Sequence, residues 1–130
     1  MSRALVDTHA FIWWLLDDDR LSSPARETLR TADAPMLSAG TLAEIAIKRS
    51  LGKLTFHRDW TDRGRDEGFE ALGVTWEHAA ALERLPFLNV AGRKHRDPFN
   101  RLLVAQSQVE NLPIVTRDPA IAAYGVPVIW

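Results

Sequence analysis

Asp7, Glu44, the pair Asp97/Asn100 and Asp118 are the oxygen donors on which chemistry in this chain would rest. Each stands where an apolar, β-type run gives way to a helical pattern. In an open parallel α/β sheet, residues leaving the carboxyl ends of strands meet in one crevice, so carboxylates distant in sequence converge in space. Such a cluster suits Mg²⁺, or Mn²⁺ in its place, hard cations that demand oxygen ligands and leave coordination places to water and substrate phosphate. The chemistry expected is metal-assisted hydrolysis. One ion lowers the pKa of a bound water, and a second would stabilise the leaving oxygen of an in-line phosphodiester cleavage. Each residue also has a structural role open to it. Thr41-Leu-Ala-Glu44 reads as a capping box with Glu44 in the first helical turn, and Asp97-Pro98 as an N-cap followed by proline. Asp118-Pro119 reads as a turn or helix start, and Asp7 as the cap of a helix beginning near His9. Caps need no common location, whereas all of these residues fall at strand-to-helix transitions. The two roles therefore coexist.

The elements that must position these groups alternate along the chain. Ala4 to Val6 predicts a central strand, and Ala10 to Leu16 a helix too apolar to have one wet face. Ser23-Pro24 opens a helix to about Thr31, Pro35 to Leu37 is a second strand, and Ser38 and Thr41 lead into a helix stopped by Gly52. Residues 56–68 predict a short exposed helix, Phe69 to Val74 a third strand and Trp76 to Leu85 a helix ended by Pro86. Asn89 to Arg96 reads as a basic loop, and Asp97-Pro98 opens a helix through Val109. Pro113 to Val115 and Val126 to Ile129 are the last two strands. Strands alternating with helices imply a mostly parallel sheet covered on both faces.

Bulk composition narrows the function classes. At 130 residues, 46% apolar and 25% charged, residues 1–130 are expected to form one domain with a proper core. The chain has no cysteine, which excludes disulfides, thiolate zinc sites and a cysteine nucleophile and fits a reducing, cytoplasmic setting. No run is long enough to span a bilayer, and the first residues lack the pattern of a secretory signal, so a soluble, unexported protein with no membrane partner is expected. A net charge of -1 gives no whole-molecule attraction for nucleic acid. The run Arg93, Lys94, His95, Arg96 is locally basic, however, and makes Arg93, Lys94 and Arg96 candidate RNA contacts. Phosphate loop, dinucleotide fingerprint, nucleophile elbow and H-E-x-x-H motifs are absent from the sequence. The four histidines are too dispersed for a zinc site; His9 and His95 read as ordinary polar residues, with contact to substrate as the alternative.

Taken in order, Leu5-Val-Asp7-Thr8-His9, the stretch Leu37 to Lys48 around Glu44, His95-Arg-Asp97-Pro-Phe-Asn100-Arg-Leu-Leu-Val-Ala-Gln106 and Thr116-Arg-Asp118 resemble PIN-domain ribonucleases. More narrowly, they are similar to the VapC toxins of bacterial toxin–antitoxin pairs. The resemblance covers nearly the whole chain. It implies a three-layer α/β/α sandwich around a parallel sheet, Mg²⁺-dependent endoribonuclease activity on tRNA or rRNA, and neutralisation by a VapB antitoxin. It also implies a homodimer or a toxin–antitoxin hetero-oligomer. Asp7 and Glu44 match the first two family carboxylates and Asp118 the last. Position 100 departs from the pattern: Asn100 stands where the third acid is expected, while Asp97 is kept. An amide oxygen can accept a metal bond but brings no charge, so a weakened or inactive site is expected.

Two further expectations follow. The helix containing Phe11, Trp13, Trp14 and Leu15 is apolar around most of its circumference and needs a second apolar neighbour beyond the sheet. An antitoxin helix lying in a groove would supply one, with a homodimer contact as the competing use. Competing functions are a degenerate PIN domain that binds RNA or a partner without cutting, and a receiver-type signalling module. The receiver reading expects paired acids after the first strand and a lysine near the last, yet Asp7 stands without a second acid and Val126 to Trp130 has no lysine.

Overall fold

Arg3–Val6 forms the middle strand, β1, of a five-stranded sheet in which every pairing is parallel. The computed structural model describes residues 2–130. Among them β1 is followed by α1 (Thr8–Leu16), α2 (Ser23–Thr31), β2 (Ala34–Ser38), α3 (Ala39–Ser50), α4 (Trp60–Asp66), β3 (Glu70–Leu72) and α5 (Trp76–Arg84). A hairpin of β4 (Asn89–Val90) and β5 (Arg93–Lys94) comes next, then α6 (Pro98–Glu110), β6 (Ile114–Val115), α7 (Pro119–Ala122) and β7 (Val128–Ile129). The sheet order is β3-β2-β1-β6-β7. The chain therefore winds outward from β1 in one direction through β2 and β3, and in the other through β6 and β7. The switch falls between β1 and β6, where Val6 pairs with Val115, and an α/β sheet opens its crevice at the carboxyl ends of such a pair.

Alternation along the strands sorts side chains into two cores, one on each face. Ala4, Val6, Leu37 and Val115 pack with Phe11, Ile12, Trp13 and Trp60 on one side. Leu5, Met36 and Ile114 pack with Leu103, Val104 and Ile121 on the other. The result is the predicted α/β/α layering. Gly40 permits the close approach of α3 and α6, since a Cβ there would meet Leu102 Cδ2 at 2.6 Å. Among the described residues no helix is long and apolar enough to cross a membrane.

The apolar helix finds its second neighbour within the chain. Phe11 is stacked edge-on against Phe69 (4.9 Å) and Trp60 (6.3 Å), and Leu54 and Phe56 pack on the same cluster. Phe11 and Trp13 are therefore core residues, 1% and 5% exposed, worth about 1.5–3 kcal/mol each in burial. The expectation that these two await a partner helix is corrected: Trp60 and Phe69 cover Phe11, while Trp130, Arg20 and Arg117 cover Trp13. Trp14 and Leu15 remain half-buried and Leu16 is exposed.

Two other expectations change. The segment 89–96 contains a tight hairpin rather than an open loop, with Ala91 and Gly92 both at positive φ (52° and 78°) in its two-residue turn, the geometry that matches strand twist. The segment that leads into this hairpin, Leu85 to Phe87, rests on Arg101, which is 5% exposed. Arg101 donates to the carbonyls of Leu85 (2.9 Å) and Pro86 (2.8 Å) and to the Tyr124 hydroxyl (3.0 Å), with Phe87 3.9 Å from its guanidinium carbon. Helix α3 begins at Ala39, capped by Ser38, whose hydroxyl accepts the Gly40 N–H at 3.0 Å. Glu44 thus lies in the second turn, and the capping-box reading of Thr41 and Glu44 does not hold.

Candidate active site

Asp7 leaves the end of β1 and caps α1, its Oδ1 accepting the Ala10 N–H at 2.8 Å. Its other oxygen, Oδ2, accepts the hydroxyl of Thr116, the residue that follows β6. The two strands of the switch point are thereby tied through a buried carboxylate. Burial pushes the Asp7 carboxyl above its ordinary value and the charge of Asp118 acts in the same direction. The Thr116 hydroxyl, the Ala10 N–H and His9 offset part of this.

Thr116 reaches further. Its Oγ1 accepts the N–H of Asp118 at 3.0 Å, and Asp118 caps α7 with Oδ1 on the Ala120 N–H at 2.9 Å. The second oxygen of Asp118 accepts the Asn100 amide at 3.2 Å. Asn100 sits in the first turn of α6. One hydrogen-bonded array thus runs Asp7, Thr116, Asp118, Asn100. Glu44 makes no bond to this array and does not line the cavity beside Asp7 and Asp118: its Oε1 accepts the hydroxyl of Thr8, the residue after Asp7, at 2.5 Å, and its Oε2 accepts Lys48 Nζ at 2.8 Å. Asp97 stays at the helix start, where Oδ1 accepts the N–H groups of Phe99 (2.9 Å) and Asn100 (3.2 Å).

Asp7 and Asp118 open into a cavity of about 420 Å³, walled by His9, Trp13, Arg20, Arg117 and Trp130. None of Arg93, Lys94 and Arg96 lines it; all three are exposed on or beside the hairpin. His95 instead faces Tyr124, with Nδ1 2.9 Å from the hydroxyl. Arg20 is gripped by Asp18 through two hydrogen bonds (3.1 and 2.7 Å), which hold the Asp18 carboxyl down to about 2. Thr8, Thr116 and Lys48, the groups that orient the acids, were not singled out in the sequence, nor were Arg20, Arg117 and Trp130 in the cavity wall. Thr8 and Thr116 do lie inside the motif stretches, each next to or two residues from an acid.

Whether these residues suit a divalent cation is a question of donor chemistry. Among the described residues no three His, Cys, Asp or Glu side chains are placed to hold one ion. A small hard dication needs fewer: it is commonly bound through one or two carboxylates and keeps several waters. Asp7 and Asp118 share one cavity and one bridging threonine, so the donor set fits an ion held by two carboxylates. It does not form a three-acid cage, because position 100 contributes an amide and Glu44 is engaged by Thr8 and Lys48.

Comparisons with known proteins bear on the same constellation. The family model described as PIN domain matches residues 4–127. No curated protein matches the sequence. Among solved structures, VapBC2 of Rickettsia felis bound to a DNA fragment from its promoter superposes with a TM-score of 0.69 at 10% identity, covering 97% of this chain and 96% of that one. A toxin–antitoxin complex from Klebsiella pneumoniae gives 0.66 at 19% identity, covering 98% and 96%. FitAcB from Neisseria gonorrhoeae gives 0.65 at 20% identity, covering 96% and 95%. At these identities the likeness establishes the fold.

Proposed function

The chain belongs to the PIN-domain family, and from that premise we propose that it is the toxin of a VapBC-type toxin–antitoxin pair. Its activity would be an endoribonuclease dependent on Mg²⁺ or Mn²⁺ that cuts a phosphodiester bond of tRNA or rRNA in the cytoplasm. The observation that carries this reading is the buried Asp7 carboxylate sharing a bridging threonine and a cavity with Asp118, at the switch point of the sheet. PIN domains are generally nucleases, and structures of this fold are described as toxin–antitoxin complexes.

Asp7 and Asp118 would hold the ion, with Asn100 and, through the Thr8 side, Glu44 completing its surroundings. A bound dication would supply an activated water and charge neutralisation at the phosphate. The protein's own part is positional: Thr116 holds the Asp7 carboxylate and the Asp118 backbone, Asn100 and the Ala120 N–H hold the Asp118 carboxylate, and the cavity admits substrate to both acids. Asn100 favours a second reading, RNA binding without cleavage, because its amide nitrogen rather than a carboxylate oxygen faces Asp118. The proposed VapB-type antitoxin, or the partner subunit of a homodimer, would meet α1 at Trp14, Leu15 and exposed Leu16, the part that the core leaves open.

The test is to sequence RNA ends after incubating tRNA and rRNA with the chain, its Asn100→Asp variant and its Asp7→Asn variant, with Mg²⁺ or Mn²⁺ and with chelator. Discrete new ends that require the dication, rise with Asn100→Asp and vanish with Asp7→Asn are expected. RNA that is bound but uncut by the Asn100→Asp variant would favour the non-cleaving reading.

A further inference from the structure

Arg117 lies in sequence between Thr116 and Asp118 and lines the cavity into which Asp7 and Asp118 open. Its guanidinium rests over the Trp13 ring, 4.5 Å from the centroid, and it takes part in none of the ion pairs found among the described residues. Arg20 lies over the same ring at 4.8 Å, but Asp18 already neutralises it. The cavity beside Asp7 and Asp118 therefore has in its wall one arginine whose guanidinium makes no ion pair among the described residues. Trp13, at 5% exposure and covered by these groups, offers no free face. Trp130 packs edge-on against Trp13 (5.9 Å, 62°) and is half-buried, while His9 is exposed with its ring 5.6 Å from Trp13. Both line the cavity.

A planar guanidinium recognises phosphate through paired hydrogen bonds, and aromatic faces take unstacked bases without strong sequence preference. At about 420 Å³ the cavity is within the small-ligand range of about 300–1,000 Å³. It has room for one nucleotide unit and none for a base pair. We propose that this cavity is a subsite for one unpaired nucleotide beside the scissile phosphodiester, with Arg117 on its phosphate and its base against Trp130 and His9. This deepens the ribonuclease reading and rests on it, and it selects single-stranded loops over duplex RNA. Trp13 is the positioning residue, holding the Arg117 guanidinium at the cavity wall before substrate arrives.

The test is binding of a labelled, unstructured hexaribonucleotide and of the same sequence in duplex form, in chelator, so that metal and cleavage play no part. Arg117→Gln should weaken single-strand binding about tenfold and reduce the dependence of log K on log salt by about one. Trp130→Ala should weaken it about tenfold with the salt slope unchanged, and Trp130→Phe should stay within about threefold because a stacking face remains. The duplex should bind more weakly than the single strand. Arg117 is exposed, so its variant tests the subsite even if Trp130→Ala fails to fold. Unchanged affinity in Arg117→Gln, with loss in an Arg93→Gln/Lys94→Gln variant, would overturn the subsite and leave the ribonuclease reading standing. No RNA binding by the unsubstituted chain would overturn both.

Discussion

Arg101 beneath the segment that leads into the hairpin and Asp7 at the end of β1 are both charges taken out of water, 5% and 8% exposed, and both sit at a helix end of favourable sign. Arg101 faces the carboxyl end of α5, where the Leu85 and Pro86 carbonyls accept its donors, and it has a Tyr124 hydroxyl and the Phe87 ring besides. Asp7 faces the amino end of α1 and has a threonine hydroxyl besides. The difference is the neighbouring charge. Asp7 makes no ion pair among the described residues; burial disfavours its ionised form, the second carboxylate Asp118 adds to that, and His9 offsets only part of it. Arg101 is a charge the fold has answered, whereas Asp7 is one that a cation would answer. That contrast separates a buried ion that serves stability from one that serves a site.

Breaking the answered charge should have the largest effect. Arg101→Ala leaves two carbonyls and a hydroxyl without their donor, and each buried partner left unmade costs about 1–3 kcal/mol. With water refilling part of the gap, a loss of about 3 kcal/mol in denaturant unfolding is expected, together with faster hydrogen exchange across β4 and β5. A loss below about 1 kcal/mol would mean that the guanidinium is incidental to the hairpin.

Asp7→Asn should do the reverse in chelator. Because the folded-state pKa of Asp7 lies above its ordinary 3.8, the fold prefers the protonated acid. The metal-free protein then loses stability as pH rises from the ordinary value through the raised one, and the loss is complete above it. At neutral pH the Asn variant should therefore unfold later than the parent in chelator. A dication at about one hundred times its Kd should reverse that order by adding about 2.7 kcal/mol to the parent and little to the variant. Equal responses of the two proteins to Mg²⁺ would remove Asp7 from the ion's ligands.

Much of this contrast was legible in the sequence on the Asp7 side and little of it on the Arg101 side. Asp7, Asp97 and Asp118 were readable as caps because capping is local: the side chain bonds an N–H two or three residues on. The placement of Asp7 and Asp118 at the carboxyl ends of strands followed from the order of apolar runs, whereas the pairing of β1 with β6 that makes a switch point there did not. The bond between Thr116 and Asp7 joins residues 109 apart in sequence, and no local pattern marks it. Arg101 sits in an amphipathic helix where an arginine ordinarily reads as solvated, and only the return of Pro86 and Tyr124 to its face buries it. The assignment of Glu44 to a first turn failed because Ser38, not Thr41, stops the strand and caps α3. The apolar helix was rightly read as needing a second neighbour, but the charge-rich segment that supplies Trp60 and Phe69 gave no sign of folding back on it.

Asn100→Asp would sharpen the comparison by making the unanswered region more acidic. An added carboxylate facing Asp118 should raise dication affinity about tenfold, or about 1.4 kcal/mol, and should lower stability in chelator because like charges then adjoin. Isothermal titration with Mg²⁺ and Mn²⁺ measures the first effect and unfolding in chelator the second. Adding Asp97→Ala should cost a helix cap, about 1 kcal/mol of stability, and leave the affinity gain intact, since the Asp97 carboxylate is committed to the Phe99 and Asn100 N–H groups. Loss of the gain in the double variant would move the ligand role to Asp97.

Lys48 is the smallest and most discriminating case, because Glu44 lies between the two kinds of buried charge. It is buried like Asp7, with an 8% exposed side chain, but it has a countercharge: Lys48 at 2.8 Å, one helical turn on and 45% exposed. A pair open to solvent on the lysine side is worth about 0.3–0.5 kcal/mol, so Lys48→Met should lower stability by no more than that. Its effect on the site has a definite sign. Lys48 neutralises the carboxylate bonded by Thr8, the residue after Asp7, so removing the lysine should return negative charge to that side and raise dication affinity by about twofold, the equivalent of that same pair energy. Titration of Mn²⁺ into the Lys48→Met variant, at low salt where the effect is least screened, reads this directly. An unchanged affinity would place Glu44 with Arg101, as a charge already answered by the fold, and would leave Asp7 and Asp118 as the pair on which metal binding depends.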